Sequence, residues 1–210
     1  MTEVIRYTAE MADEWNAIVH SSRNGFFMFN RNYMDYHSDR FADHSLMIKR
    51  DGKILAVFPA NEKEGIIHSH QGLTFGGIIS LSGTASTETI DFLSSIIQYY
   101  RKEKFQKIIY KAIPHIYHNE PAEVDKYAIF LNNGQCYRMD LSTTIDLSSV
   151  PVFQERRRRS IKKARENSVS IVKAEHDAEW AAFWKILSDN LQSKFNVKPA
   201  HDLEEILLLH

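Results

Sequence analysis

Val4-Ile5-Arg6-Tyr7-Thr8-Ala9-Glu10-Met11-Ala12-Asp13-Glu14-Trp15 returns, 165 residues later and without a gap, as Val169-Ser170-Ile171-Val172-Lys173-Ala174-Glu175-His176-Asp177-Ala178-Glu179-Trp180. Val4/Val169, Ala9/Ala174, Glu10/Glu175, Glu14/Glu179, Trp15/Trp180 and Ala17/Ala182 are identical, and Ile18 meets Phe183, which keeps the apolar face. Each copy reads as a short strand running into a helix with a tryptophan on its buried side. The competing reading is two unrelated strand–helix units that share helix-favouring Ala and Glu; the paired Val and Trp argue for a repeat. The second copy reaches residue 210, the counterpart of residue 45, on the brink of the first copy's central hairpin. The organisation expected is a first lobe over 1–150, a basic linker helix over 151–167, and the start of a truncated second lobe over 168–210. Such a chain is not expected to run a full catalytic cycle alone. The apolar face of Leu203–Leu209 also needs a partner, which a second copy of the chain would supply in a homodimer through the C-terminal helices.

Downstream of Trp15 the signals alternate between the two helical and extended periods. Thr8 suits the cap of a helix over about 10–21, with Met11, Trp15, Ile18 and Val19 on one face. A second helix is expected around 30–40, carrying Tyr33, Met34 and Tyr36. Leu46–Lys49, then Asp51-Gly52, then Ile54–Phe58 is a hairpin signal, because Asp-Gly tolerates the positive φ of a tight turn. A further strand pair is expected near 66–69 and 74–80, broken by Gly72 and by Gly76-Gly77. A long helix over about 87–104 places Ile90, Leu93, Ile97 and Tyr100 at helical spacing. Lys107–Lys111 reads as a strand ended by Pro114, residues 123–131 as a short helix, and residues 137–147 as extended. The class is α+β, a mixed or antiparallel sheet flanked by helices.

Composition excludes several alternatives. With 43% hydrophobic residues the chain has material for a core, and with 25% charged it is not disordered by composition. A net charge of −1 gives no whole-chain attraction to nucleic acid or membrane. Locally, residues 1–150 hold 15 basic and 18 acidic side chains, whereas residues 151–210 hold 11 and 9. Cys136 is the single cysteine, so no internal disulfide forms and a reducing compartment fits. The absence of a signal-peptide pattern or a bilayer-length apolar run supports a cytoplasmic expectation, with no transmembrane segment. The ten histidines show neither His-Glu-x-x-His nor paired Cys/His spacing, so no metal site is expected.

The order strand, two helices, antiparallel strands, long helix, strand, helix, strand is that of the GNAT acyltransferase fold. Tandem lobes of this kind joined by a basic helix resemble the Fem-type transferases, the FemA/FemB/FemX-like aminoacyl transferases of peptidoglycan synthesis, and the GNAT-like proteins found with bacterial surface-polysaccharide genes. The segments that carry the resemblance are Gly72–Ile79, Lys111–His118, Arg156–Arg165 and Lys198–Glu205. The resemblance implies transfer of an acyl or aminoacyl group to an amine or hydroxyl of a small-molecule, lipid-linked or nucleotide-linked glycan acceptor. It implies acyl-CoA or aminoacyl-tRNA as the donor, met mainly by the second lobe. The sequence departs from acetyl-CoA-using GNAT enzymes in lacking an Arg/Gln-x-x-Gly-x-Gly/Ala loop that opens a helix and cradles pyrophosphate. No cofactor is therefore expected on this chain itself.

Three groups of residues are candidates for chemistry. Arg156, Arg159 and Lys163 form one stripe of the basic helix, and guanidinium forks suit phosphate. Their readings are a phosphate-linked precursor, tRNA phosphates, or a solvated linker helix bridged to Glu155 and Glu166. Tyr110, Lys111, His115, Tyr117 and His118 follow a central strand, where side chains often face a cleft. His115 or His118 suits a general base, Tyr117 an acid or positioning group, and Lys111 a counter-charge for phosphate. The competing reading for each is an aromatic loop without catalytic duty. Gln71, Phe75, Gly76 and Gly77 form the third group, where paired glycines mark either close approach of a ligand or a kink the fold requires. Cys136 reads as a small buried residue.

Overall fold

Strand β1 (Thr2–Arg6) pairs antiparallel with β3 (Leu46–Arg50), and β3 with β4 (Lys53–Phe58). Asp51 and Gly52 close the β3–β4 turn with φ of 51° and 77°, the double positive turn that Asp-Gly foreshadows. The hairpin is longer than its hydrophobic run suggests. β2 (Ala42–Asp43) precedes β3, and β5 (Asn61–Lys63) follows β4. They pair as Ala42↔Glu62 and Asp43↔Asn61, in the same register as Leu46↔Phe58. Pro59, which has no N–H to give, lies at the break between the two stretches. One bent hairpin thus runs through two four-stranded sheets, ordered β1-β3-β4-β7 and β2-β5-β6-β8.

The computed structural model from which this topology is read describes residues 2–149 and 152–209. The expected boundary at 150/151 lies outside the described residues. By contact the chain divides into two compact units, one through Asp140 and one from Leu141.

In the first unit, β6 (Ile66–His68) pairs antiparallel with β5, and β7 (Ile79–Ser80) with β4. The expectation that 66–69 and 74–80 pair with each other is corrected: they lie in different sheets. Asn61 faces His68; continuing that register would set Gly72 opposite Val57, yet Ile79 stands there, so seven residues are inserted. Residues 69–78 leave the sheet edge and rejoin it. β8 (Lys107–Ile109) then pairs parallel with β6.

Helix α1 (Ala12–His20) buries Trp15, Ile18 and Val19 on one side of the first sheet. Its Trp15 Nε1 donates to Phe29 O at 2.8 Å. Thr8 stands at the start of a 3-10 turn (Ala9–Met11) but makes no side-chain cap bond. The expected helix over 30–40 is broken into α2 (Arg31–Met34) between two 3-10 turns. The reason is Arg31, which is fully buried with its guanidinium 3.4 Å from the Tyr7 ring centroid and 3.9 Å from that of Trp15. Arg31 also pairs with Asp43 at 2.7 Å, and this sandwich sets the local path in place of a regular helix. The opposite side of the sheets is covered by α3 (Ser86–Lys102), through Phe92, Leu93, Ile96 and Tyr100, with α4 (Val124–Leu131) beside it through Ala128.

Residues 137–147 form no strand, and Tyr137, Met139, Leu141, Ile145 and Leu147 are exposed. Cys136, expected to be buried, is exposed. The second unit holds α5 (Glu155–Glu166), α6 (Asp177–Phe195) and α7 (Leu203–Leu209). α6 starts 165 residues after α1, at the position the repeat predicts, but Val169–Val172 forms no strand and Ile171 is 98% exposed. Asp202 and Glu205 form a reciprocal cap on α7, with Glu205 N–H donating to Asp202 Oδ1 at 2.9 Å and Asp202 N–H to Glu205 Oε2 at 3.1 Å. No helix among the described residues is long and apolar enough to cross a membrane.

Candidate functional site

The carboxyl ends of β6 and β8 lie side by side, and the chain leaves them in different directions: into the 69–78 excursion after β6, and into residues 112–118 after β8. A crevice at the ends of parallel strands whose connections diverge is a recurrent place for ligands. Three consecutive residues, Ile109 at the end of β8 and then Tyr110 and Lys111, hold the excursion. On its first leg, Ser69 N–H donates to Ile109 O at 2.9 Å, and Lys111 N–H donates to Ser69 Oγ at 2.7 Å. At its tip, the Lys111 ammonium donates to Leu73 O. On its second leg, Gly76 N–H donates to Lys111 O at 2.8 Å, and Tyr110 Oη accepts from Ile78 N–H at 2.9 Å. Asn61 and Gln71 add a reciprocal amide pair, with bonds of 2.9 and 2.7 Å.

The two glycines are explained by this clamp. A Cβ on Gly76 would come within 2.1 Å of Ser69 O, and one on Gly77 within 2.4 Å of Tyr110 Oη, with Gly77 at φ +127°. The space at both is taken by the chain itself.

Tyr110 Oη in turn donates to Asp125 Oδ2 at 2.7 Å. Burial, then the charge and hydrogen bond of Asp125, push the Tyr110 hydroxyl well above ordinary tyrosine. Burial raises the Asp125 carboxyl, against the hydrogen bonds from Tyr110 and Lys126 N–H. Asp125 also lines a small cleft with Arg23, Asn24, Ile78 and Ser80. There, Asn24 Nδ2 donates to Ile78 O at 2.8 Å and Arg23 Nε to Ser80 Oγ at 3.1 Å. Asp125, Arg23 and Asn24 were not among the residues expected from the sequence. The one signal that could have found them was Asp125 itself, a lone carboxylate on the same helical face as Ala128 and Ile129.

His115, Tyr117 and His118 sit on a 3-10 turn and its end (His115–Tyr117). Tyr117 stacks on Phe75 with centroids 4.9 Å apart and planes at 27°, and Phe26 packs against both rings at 5.0 and 5.7 Å. Phe27, 57% exposed, extends this aromatic shelf to the surface. His118 is half-buried; burial lowers its imidazole below ordinary histidine, while the Asp125 carboxylate pulls the other way. His115 is exposed. Burial alone lowers the Lys111 ammonium. The structure therefore brings Gln71, Phe75, Gly76, Gly77, Tyr110, Lys111, Tyr117 and His118 to one end of the second sheet. Arg156, Arg159 and Lys163 lie exposed on α5, in the other unit. Arg159 stands 3.9 Å from Glu155, as the linker-helix reading expects.

The fold class raises the question of a diphosphate cradle at the N-terminus of α3. Glu88 Oε2 accepts from Ala85 N–H at 2.9 Å, and Glu88 Oε1 pairs with Arg50 at 2.7 Å. The Glu88 carboxylate adds negative charge to that end of the helix, which disfavours a further anion there. Among the described residues no group of three or more His, Cys, Asp or Glu is arranged to hold a metal.

No family model and no curated protein matches the sequence. Among solved structures, AAC(6')-Iy in complex with the bisubstrate analogue CoA-S-monomethyl-acetylneamine aligns over 70% of this chain and 99% of its own, with 9% identity and a TM-score of 0.46. A possible acetyltransferase from Clostridium difficile 630 aligns over 70% and 99%, with 11% identity and a TM-score of 0.41.

Proposed function

We propose that the first unit is the acceptor-holding lobe of a GNAT-type acyl- or aminoacyltransferase that modifies an amine or hydroxyl. The observation that carries this reading is the Phe75–Tyr117 shelf with His118 next along the chain, where the connections after the carboxyl ends of β6 and β8 diverge. Acyl transfer asks little covalent chemistry of a protein. It needs the nucleophile positioned, its proton removed and water kept away. His118 is in the right state to remove that proton. Burial lowers its pKa, so the ring is neutral near physiological pH and able to act as a base. In the step, the acceptor nitrogen or oxygen forms a bond to the acyl carbon, the donor's thioester or ester bond breaks, and the acceptor's proton passes to His118. The leaving group takes up a proton in turn. The aromatic shelf gives the acceptor an apolar face to lie on. The donor, an acyl-CoA or an aminoacyl-tRNA, is received elsewhere than at α3, whose N-terminus Glu88 already caps. The Fem-like resemblance favours a cell-envelope or polysaccharide precursor as acceptor and a cytoplasmic site of action.

The test is a product assay with both donor classes against a panel of amines, amino sugars and nucleotide sugars, read by mass spectrometry. Acylated product is expected, reduced by about 10²–10⁴-fold in His118→Ala and little changed in His115→Ala. Stabilisation by an acceptor without turnover by either donor would make the unit a binding lobe instead. Neither product nor thermal stabilisation with any compound would end both readings.

A further inference from the structure

Helix α5 buries none of its residues, and seven of its twelve side chains are Lys or Arg against two Glu. These charges are not spread evenly around it. At about 100° per residue, Arg157, Ser160, Ile161 and Ala164 fall on one stripe, joined by i,i+3 and i,i+4 steps. Glu155 and Glu166 fall on the opposite stripe with Arg159 and Lys162. The acids are neutralised on that side: Glu155 lies 3.6 Å from Arg158 and 3.9 Å from Arg159, and Glu166 lies 3.8 Å from Lys162. Among the described residues, Arg156, Arg157, Lys163 and Arg165 form no ion pair. Arg156 and Lys163 border the Ile161–Ala164 stripe on one side, and Arg165 borders it on the other. One side of α5 is thus a short apolar seam rimmed by cations and free of carboxylates.

The residues leading into the helix add apolar surface. Gln154 caps the first turn, so Phe153 takes the position from which an apolar side chain packs back onto the fourth helical residue. That residue is Arg158, which offers no apolar partner, and Phe153 is 52% exposed beside Val152 at 92%. Apolar groups held in water next to cations suit a partner that presents anions and an apolar layer together. A phospholipid surface presents both. Its acyl boundary receives Val152, Phe153 and Ile161, while the long Lys and Arg stems lie along the seam and carry their charges to the phosphates. Nucleic acid presents the phosphates but no apolar layer for aliphatic side chains such as Val152 and Ile161.

We propose that α5, with Val152 and Phe153, is a docking surface for an anionic membrane, lying in the lipid interface along the Ile161–Ala164 seam. The attachment is to the surface and reversible, and calls for no membrane-spanning helix. It is independent of acyl transfer.

The experiment is sedimentation of the 210-residue protein with vesicles of equal parts phosphatidylcholine and phosphatidylglycerol, and with vesicles of phosphatidylcholine alone. Binding is expected to the mixed vesicles and not to the neutral ones, declining with added salt. Arg157→Gln/Arg165→Gln is expected to weaken it at least about tenfold, from the loss of two cations at the surface. Arg159→Gln/Lys162→Gln removes the same charge from the opposite side and is expected to weaken it far less, because a helix diameter of about 10 Å sets those groups a Debye length from the lipid phosphates. Phe153→Ser is expected to weaken it about fivefold with the salt dependence unchanged, from the loss of apolar insertion. Circular dichroism checks that each variant keeps its helix content. The proposal is overturned by absence of binding to the mixed vesicles, by equal binding to both kinds, or by equal losses in the two double variants. Binding of a short single-stranded RNA without binding of vesicles would overturn it in favour of nucleic acid.

Discussion

Tyr110 joins three parts of the chain through one oxygen, accepting from Ile78 N–H and donating to Asp125. Tyr110→Phe leaves an enclosed N–H and a buried carboxylate each short of a partner, so a loss of about 2–3 kcal/mol in urea unfolding is expected. The Asp125 pKa should rise further, since the Tyr110 bond is one of the influences lowering it. Gly77→Ala meets the same hydroxyl from the other side, at a positive φ. A cost of about 2–5 kcal/mol is expected there, combining backbone strain and overpacking. At this scale the sequence was informative about which residues gather after the strand, because Lys107–Lys111 and Pro114 mark its end. It was silent about Asp125, because a helix pattern shows that an acid falls on an apolar face but not what hydroxyl waits opposite.

Among elements, the β3–β4 hairpin needed only local information: an Asp-Gly pair between two apolar runs. Gly52 takes φ +77° with nothing near its would-be Cβ, so Gly52→Ala isolates the conformational cost. A loss of about 1–2 kcal/mol is expected, seen as a lower urea midpoint with an unchanged slope. The contrast with Gly77→Ala separates a glycine required by a turn from one required by a neighbour. The strands near 66–69 and 74–80 were legible as strands but not in their pairing. Nothing local says that seven inserted residues move the second of them to another sheet. Residues 169–172 show the same limit. Val4–Arg6 is a strand because β3 lies beside it, and among the described residues no counterpart of β3 lies beside 169–172. The matching segment keeps its sequence pattern without a ladder to join, whereas the helix after it needs only its own hydrogen bonds and forms at the predicted position.

Across the whole molecule, every fully buried residue among those described lies at or before Ala128. A chain ending at Asp140 is therefore expected to unfold cooperatively with a Tm within a few degrees of the parent, as calorimetry would show. A markedly lower Tm would mean that the second unit supports the first. Stability should also depend on pH in a stated direction. Burial lowers His44, His68 and His118 in the folded chain. As pH falls through the ordinary histidine range near about 6.5, the unfolded chain takes up protons first, so stability declines until the folded pKa values are passed. Urea midpoints should fall across that window, and NMR titration should place the midpoints of these rings below that of a free histidine. Asp125 acts with the opposite sign. Burial raises its folded pKa, so it lowers stability as pH climbs from the ordinary aspartate range through the folded value, a component that Asp125→Asn should remove. The sequence by itself determined the α+β class, the central hairpin and its turn, and the places of α1, α3 and α4, because turn chemistry and helical hydrogen bonding are local. Only the tertiary structure decided the sheet partners, the clamped excursion and the buried Asp125. Each of these depends on which distant segment lies alongside, and that is fixed by packing of the whole core.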